Sequence, residues 1–259
     1  TRRLIKHFGE VLRYVRSMHL TNGNALSARL ARSAADLSIP VWLSSPALEF
    51  LRDSDRVTGA AIQRDGQRVE VHASQGVVLA SGGFPHDIAR RKATYAHVTT
   101  GHEHWSPAPQ SNTGDGASMA EAVGGQFDTS LQNAAAWTPM SLVPRKDGTQ
   151  GIFPHFIDRA KPGVIAVNLD GHRFTNEANS YHDFVQAIVK ASEGKAERAC
   201  WLVADRRAIR RYGLGFVKPF PLPMGKHLRS GYIKKGNTPA ELAHKTALDS
   251  APLIDPISK

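Results

Sequence analysis

Asp65-Gly66, set between two strand-like runs at 56–64 and 67–73, is the tightest constraint on how this sequence folds. Both positions accept positive φ, so the pair closes a two-residue turn whose twist matches that of two antiparallel strands. The sequence before the hairpin predicts a helix and then strands. Leu26, Leu30, Ala34 and Leu37 recur at the spacing of an amphipathic helix over 24–37, with Asn22-Gly23-Asn24 as N-cap chemistry. Residues 40–43 and 47–51 follow as β-rich runs, and 76–80 is continuously apolar. That last run predicts a strand buried on both faces of a parallel central sheet, with the hairpin as a meander lying over it. Helix and strand alternating in this way give an α/β fold.

Residues 94–105 are polar, rich in histidine and without periodicity, so they read as loop; a helix resumes over 116–124, with Asp115 complementing the dipole at its start. A domain change is expected near residue 140, dividing the chain into 1–140 and an α+β part, 141–259. In the second part the sequence predicts a strand at 163–168, a helix at 183–192, a strand at 200–203 and a basic helix at 206–212. The proline-rich 218–224 reads as an extended connector, and Thr238-Pro239-Ala240-Glu241 as the capped start of a last helix.

With 259 residues, 41% apolar and 22% charged, the chain has material for one large or two modest domains. Its single cysteine, Cys200, excludes an internal disulfide and reads as packing; with no apolar run long enough to span a membrane, the expected location is the cytoplasm. The net charge of +10 raises nucleic acid or an anionic ligand as partners. The basic residues are scattered, however, and the densest stretch, Arg206 to Arg211, reads as a solvated helix face. No nucleic-acid partner is therefore expected.

Chemistry concentrates after the turn Asp170-Gly171, where Arg173, Asn176, Glu177, Tyr181, His182 and Asp183 follow within a few turns of chain. Buried polar groups must all be paired, which makes such a string hard to explain by packing alone. Each member still has a plainer role open to it. Arg173 and Glu177, four apart, suit a structural ion pair, and Tyr181 suits a core tyrosine with a satisfied hydroxyl. To act as a base, Tyr181 needs a neighbour that favours the phenolate, because an unperturbed phenol has a pKa near 10. His155 and His182 flank the string and could face a site or the surface. His102 and His104 lie in a loop without matching Asp, Glu or Cys, so no metal is expected, and no nucleophile motif of a hydrolase is present.

The segment Gly171-His172-Arg173-Phe174-Thr175-Asn176-Glu177, with 22–26, 78–84, 112–116 and 229–232 in the same order, resembles the flavoprotein dehydrogenases that include 3-ketosteroid dehydrogenases and the flavoprotein subunit of fumarate reductase. The resemblance covers nearly the whole chain. It implies FAD as cofactor, a partial Rossmann-like FAD-binding domain with its β-meander over 1–140, and a catalytic cap over 141–259. It also implies cofactor contacts at Ala47, at Ser81, Gly82 and Gly83, and at Thr113, Gly114, Asp115 and Gly116. The G-x-G-x-x-G phosphate loop that these enzymes place first is not in the sequence, so an internal fragment of a longer enzyme is expected. By resemblance Tyr181 stands where fumarate-reducing relatives carry an arginine. That implies proton abstraction α to the carbonyl of an apolar, 3-ketosteroid-like ketone, with Arg173 and Glu177 beside it and hydride passing to FAD. Trp137, Met140, Phe153, Phe156 and Phe220 are candidates to line the substrate. Reduction of a small unsaturated acid, with Arg207 or Arg210 as a clamp, and a non-catalytic basic binding module are the alternatives. The electron acceptor is not identifiable.

Overall fold

The computed structural model describes residues 2–101, 103–131 and 133–258. The chain divides into two compact units, residues 1–77 and 78–259. The first unit holds α1 (Arg2–Tyr14), α2 (Asn22–Asp36) and a three-stranded antiparallel meander, β1 (Ala47–Asp53), β2 (Arg56–Arg64) and β3 (Gln67–His72). The turn between β2 and β3 forms as the sequence requires, with Asp65 and Gly66 both at positive φ. Register is fixed from Arg64 opposite Gln67 outward to Gly59 opposite His72, and Arg68 reaches across the sheet to Glu49 of β1 at 2.7 Å.

Three expectations for this region are corrected. Asn22 and Gly23 are inside α2, and its N-cap is Thr21, whose side chain makes no capping bond. Residues 40–43 form no strand. Residues 76–80 are likewise irregular and exposed, with Val78 89% accessible. A strand persists only where its N–H and C=O groups pair with a neighbour, and among the described residues nothing runs alongside 76–80. The apolar stripe of α2 has the predicted spacing, yet Leu26 and Leu30 are exposed, as are Leu4 and Phe8 of α1, a helix the sequence reading did not include.

The second unit begins with two short helices, α3 (Ile88–Thr94) and α4 (Asp115–Glu121). Asp87 caps α3 by accepting from the Arg90 amide at 3.0 Å, a helix the sequence did not announce; the irregular stretch expected over 94–105 follows it. A hairpin of β4 (Met140–Pro144) and β5 (Gln150–Pro154) comes next, then β6 (Val164–Val167), α5 (Tyr181–Ala191), β7 (Trp201–Ala204) and α6 (Arg206–Tyr212). The chain finishes with α7 (Gly225–Arg229), α8 (Pro239–Thr246) and α9 (Ser250–Ser258). Thr238 caps α8 through the Glu241 amide at 3.1 Å, and the Glu241 carboxylate reaches back to the Asn237 amide.

β6 and β7 pair antiparallel, and β6 explains its own composition. Successive side chains of a strand point to opposite faces. Ala166 packs on Phe184 and Ile188 of α5, whereas Val167 packs on Ala243 of α8 and Leu253 of α9. A four-residue strand buried on both faces has no room for a polar residue, hence Val-Ile-Ala-Val. A third cluster, Tyr95, Val98 and Trp137, closes the unit around its long loop. Arg206, Arg207, Arg210 and Arg211 of α6 are exposed, as a solvated face requires.

Candidate functional site

β6 ends in a turn tied by Asn168, whose carboxamide oxygen accepts from the amides of Asp170 at 3.1 Å and His172 at 2.9 Å. The chain then runs back beside the strand, and here the two charged members of the signature are consumed by structure. The buried Glu177 carboxylate accepts from Arg173 Nε at 2.9 Å and Nη2 at 2.6 Å, and from the Ala166 amide of β6 at 2.8 Å. One carboxylate thus pins the segment to the strand and orients Arg173 in a two-pronged grip. Burial works to raise the Glu177 carboxyl, but the Arg173 and Ala166 hydrogen bonds outweigh it and hold the group below its ordinary range. A depressed carboxylate contributes stability that is complete above its unfolded pKa and lost as pH falls through the folded value. Unfolding measured in urea should therefore show the chain losing stability below about pH 4, and Glu177→Gln should reduce that acid dependence.

A residue with no sequence signal completes the scaffold. Arg159, in a 3-10 turn at Asp158–Ala160, is 2% exposed and donates to the backbone carbonyls of Glu177 and, at 2.7 Å, Asn179. Its guanidinium carbon sits 4.8 Å from the Phe184 ring centroid. Among the described residues no carboxylate lies within ion-pair distance of it, so this buried cation is matched by carbonyls and a ring. Burial lowers its pKa.

These ties deliver Tyr181. Ser180 caps α5 by accepting from the Asp183 amide at 3.1 Å, which makes Tyr181 the first residue of the helix. Helical side chains lean toward the N-terminus, so its phenol projects beyond the helix start. There it meets Phe156 edge to face, centroids 5.5 Å apart. Tyr181, Phe156 and Ile157 are 40%, 50% and 70% exposed, a polar tip in an apolar patch on a surface. Among the described residues the Tyr181 hydroxyl has no hydrogen-bond partner. His182, next along α5, faces inward and accepts from the Trp137 amide through Nδ1 at 3.2 Å. His155 also points into the unit, toward Asp158 and Ser141.

The two glycine turns do come together. The Gly114 amide donates to the Gly83 carbonyl at 3.2 Å and the His86 amide to the Asn112 carbonyl at 3.1 Å. Gly82 has φ +87°, and a Cβ there would lie 2.8 Å from the Asn112 side chain; one on Gly116 would strike Ser81 Oγ. Two of these glycines therefore serve the contact between the turns. Ser81, Gly82, Gly83, Thr113 and Asp115 remain exposed. Bare backbone at 82 and 83 fits a flat ring lying close, and Asp115, already accepting from the Thr113 hydroxyl at 2.8 Å, suits a sugar hydroxyl and not a phosphate. Ala47 belongs to the first unit, exposed at the start of β1 opposite Ile62.

A separate cavity of about 770 Å³ opens in the second unit. Trp137 and Met140, two of the residues expected around an apolar substrate, line it, while Phe156 stands by Tyr181 and Phe220 under Arg210. Cys200 also lines the cavity, and burial pushes its thiol up to about 12. His102 lies outside the described residues; among those described, no group of three His, Cys, Asp or Glu is arranged to hold a metal, and no helix is long and apolar enough to cross a membrane.

Residues 3–250 match the family model described as an FAD binding domain. The chain belongs to the FAD binding domain family. Within that family it is 36% identical over 258 residues to the 4-oxocyclohex-2-ene-1-carboxylate 5-dehydrogenase of Sinomonas cyclohexanicum, covering 100% of this chain and 44% of the relative. It is 32% identical to the 3-oxosteroid 1-dehydrogenase of Mycolicibacterium smegmatis, covering 87% and 40%. Among solved structures it is similar to the 3-ketosteroid delta1-dehydrogenase from Sterolibacterium denitrificans in complex with 1,4-androstadiene-3,17-dione, with a TM-score of 0.80 and 27% identity over 97% of this chain and 45% of that one. The chain spans less than half the length of these relatives. The α/β fold and FAD as the family's cofactor stand as the sequence implied.

Proposed function

We propose that this chain supplies the base-bearing part of an FAD-dependent dehydrogenase that introduces a carbon–carbon double bond next to the carbonyl of an apolar cyclic ketone. The observation that carries the proposal is the tyrosine patch. Tyr181 is held at a helix start by a fully tied scaffold, yet its hydroxyl has no partner among the described residues and its neighbours Phe156 and Ile157 are exposed apolar groups. A ring packed on Phe156 with its hydroxyl in the open is a polar tip that a ligand can reach. The relatives' names, an oxocyclohexene carboxylate dehydrogenase and a 3-oxosteroid dehydrogenase, support a cyclic ketone as the class.

In this proposal Phe156 and Ile157 seat the ring, and Tyr181 takes the proton α to the carbonyl. Arg173 and Glu177 keep the turn in place. FAD, when bound, supplies the acceptor for the hydride; Ser81 to Gly83 and Thr113 to Gly116 would hold part of it, with Ala47 at another part. The cofactor portion is taken as 1–140 and the cap as 141–259.

The test is an anaerobic addition of a 3-ketosteroid, and separately of 4-oxocyclohexanecarboxylate, to the flavin-loaded full-length protein. Loss of the visible flavin band with either one is the expected result and selects between a steroid and a cyclic oxo acid. A band unchanged by both, in an enzyme whose reduced form fumarate reoxidises, would overturn the proposal.

A further inference from the structure

Behind the face that carries Tyr181, four polar side chains form one unbroken row. Asp158 Oδ2 lies 2.7 Å from His155 Nδ1, His155 Nε2 lies 2.8 Å from Ser141 Oγ, and Ser141 Oγ lies 2.7 Å from the Tyr232 hydroxyl. Backbone amides fix both ends: Gly215 donates to Asp158 Oδ2 at 2.8 Å, and Phe216 to the Tyr232 hydroxyl at 3.0 Å. Ser141, His155 and Tyr232 are also wall residues of the 770 Å³ cavity, with Trp137, Met140 and Leu142 among its apolar lining. That volume is in the range of small-molecule sites. Tyr181 is not part of the wall.

The hydrogens of this row have two consistent arrangements. An ionised Asp158 only accepts, so His155 Nδ1 carries a proton in both. With a neutral imidazole, Nε2 must accept: Ser141 donates to His155, Tyr232 donates to Ser141, and every hydroxyl proton is engaged inside the row. With an imidazolium, Nε2 donates, Ser141 turns its proton toward Tyr232, and the tyrosine then accepts from both Ser141 and Phe216. Its own proton is left to point at the cavity. A single proton on His155 converts Tyr232 from an internal donor into a donor for a ligand.

We propose that the cavity binds an apolar molecule through a ketone oxygen that accepts from the Tyr232 hydroxyl, with one proton taken up at His155. Asp158 keeps the charge that supports the imidazolium: burial works to raise its carboxyl, but the His155 and Gly215 hydrogen bonds outweigh it and hold it low. His227, its ring 5.9 Å from that of Tyr232, and His97 and His104 on the cavity wall are all lowered by burial, His104 to about 4. Glu103, Glu197, Arg198 and Lys234 also stand on the wall. Phe153, centroid 5.2 Å from the His155 ring, is neutral.

The probe is 1-tetralone, with tetralin as the same skeleton lacking the oxygen, and binding to the 259-residue chain is read by quenching of tryptophan fluorescence. Affinity for 1-tetralone should rise by about five- to tenfold in all as pH is lowered from about 8 to about 5.5, while tetralin stays flat. Tyr232→Phe should weaken 1-tetralone about five- to tenfold and remove the slope. Ser141→Ala, which cuts the row but leaves the His155–Asp158 pair whole, should also abolish the slope and decides the matter if the tyrosine variant does not fold. An equal slope for tetralin, a slope that survives Ser141→Ala, or an affinity indifferent to Tyr232→Phe overturns the proposal. So does a loss of 1-tetralone binding in Tyr181→Phe, which would place the ketone on the other face.

Discussion

Tyr181→Phe in the full-length protein should lower turnover by about two orders of magnitude or more, the scale of a lost acid–base group, and leave flavin bound. The substitution is unusually clean. The hydroxyl makes no hydrogen bond within the described residues, so its removal strands no buried donor or acceptor, and the ring keeps its edge-to-face contact with Phe156. The thermal midpoint should consequently move little, and a fall in kcat cannot be attributed to unfolding. Flavin absorbance, the melting curve and steady-state rates on one preparation check all three statements. Turnover within threefold of the parent would remove Tyr181 from the chemistry.

Arg159→Ala should be the most damaging substitution for stability, at about 3–5 kcal/mol, because it combines several losses. Two backbone carbonyls, of Glu177 and Asn179, lose a charged donor, and the face of Phe184 is uncovered inside the core. Arg159→Lys tests whether charge or shape matters. A single ammonium cannot span both carbonyls as the guanidinium fork does, so the lysine variant should stay well below the parent, by about 2 kcal/mol. Urea unfolding gives the stability. The rate of the folded fraction should fall as well, since those carbonyls belong to the turn that delivers Tyr181. Full recovery by lysine would show that only the positive charge is required.

What the sequence revealed follows from whether the signal was local. The hairpin at Asp65-Gly66 and the cap at Thr238 were legible because backbone conformation or capping chemistry is written within four residues, whereas the helix expected at 183–192 begins two residues earlier, at Tyr181, under a Ser180 cap the reading did not name. The run 163–168 was legible as a strand, though that it is buried on both faces required helices distant in sequence, α5 on one side and α8 and α9 on the other. The run at 76–80 shows the reverse case: an apolar composition suited to a buried strand, with no described neighbour to pair it. At the site, the motif drew attention to Arg173 and Glu177, which pair with each other while Glu177 alone holds the Ala166 amide. Arg159 and the row from Asp158 to Tyr232 were invisible, because a lone arginine or a serine ninety residues from its tyrosine carries no pattern.

The five residues from His155 to Arg159 divide their labour by direction. His155, Asp158 and Arg159 face inward, each bonded to a different part of the unit, whereas Phe156 and Ile157 between them face outward beside Tyr181. Exchange at an inward position breaks several bonds at once; exchange at an outward one breaks none. Descendants of this chain are therefore free to drift at 156 and 157 under constant 155, 158 and 159, so the surface beside Tyr181 can change by one-residue steps that leave the frame untouched.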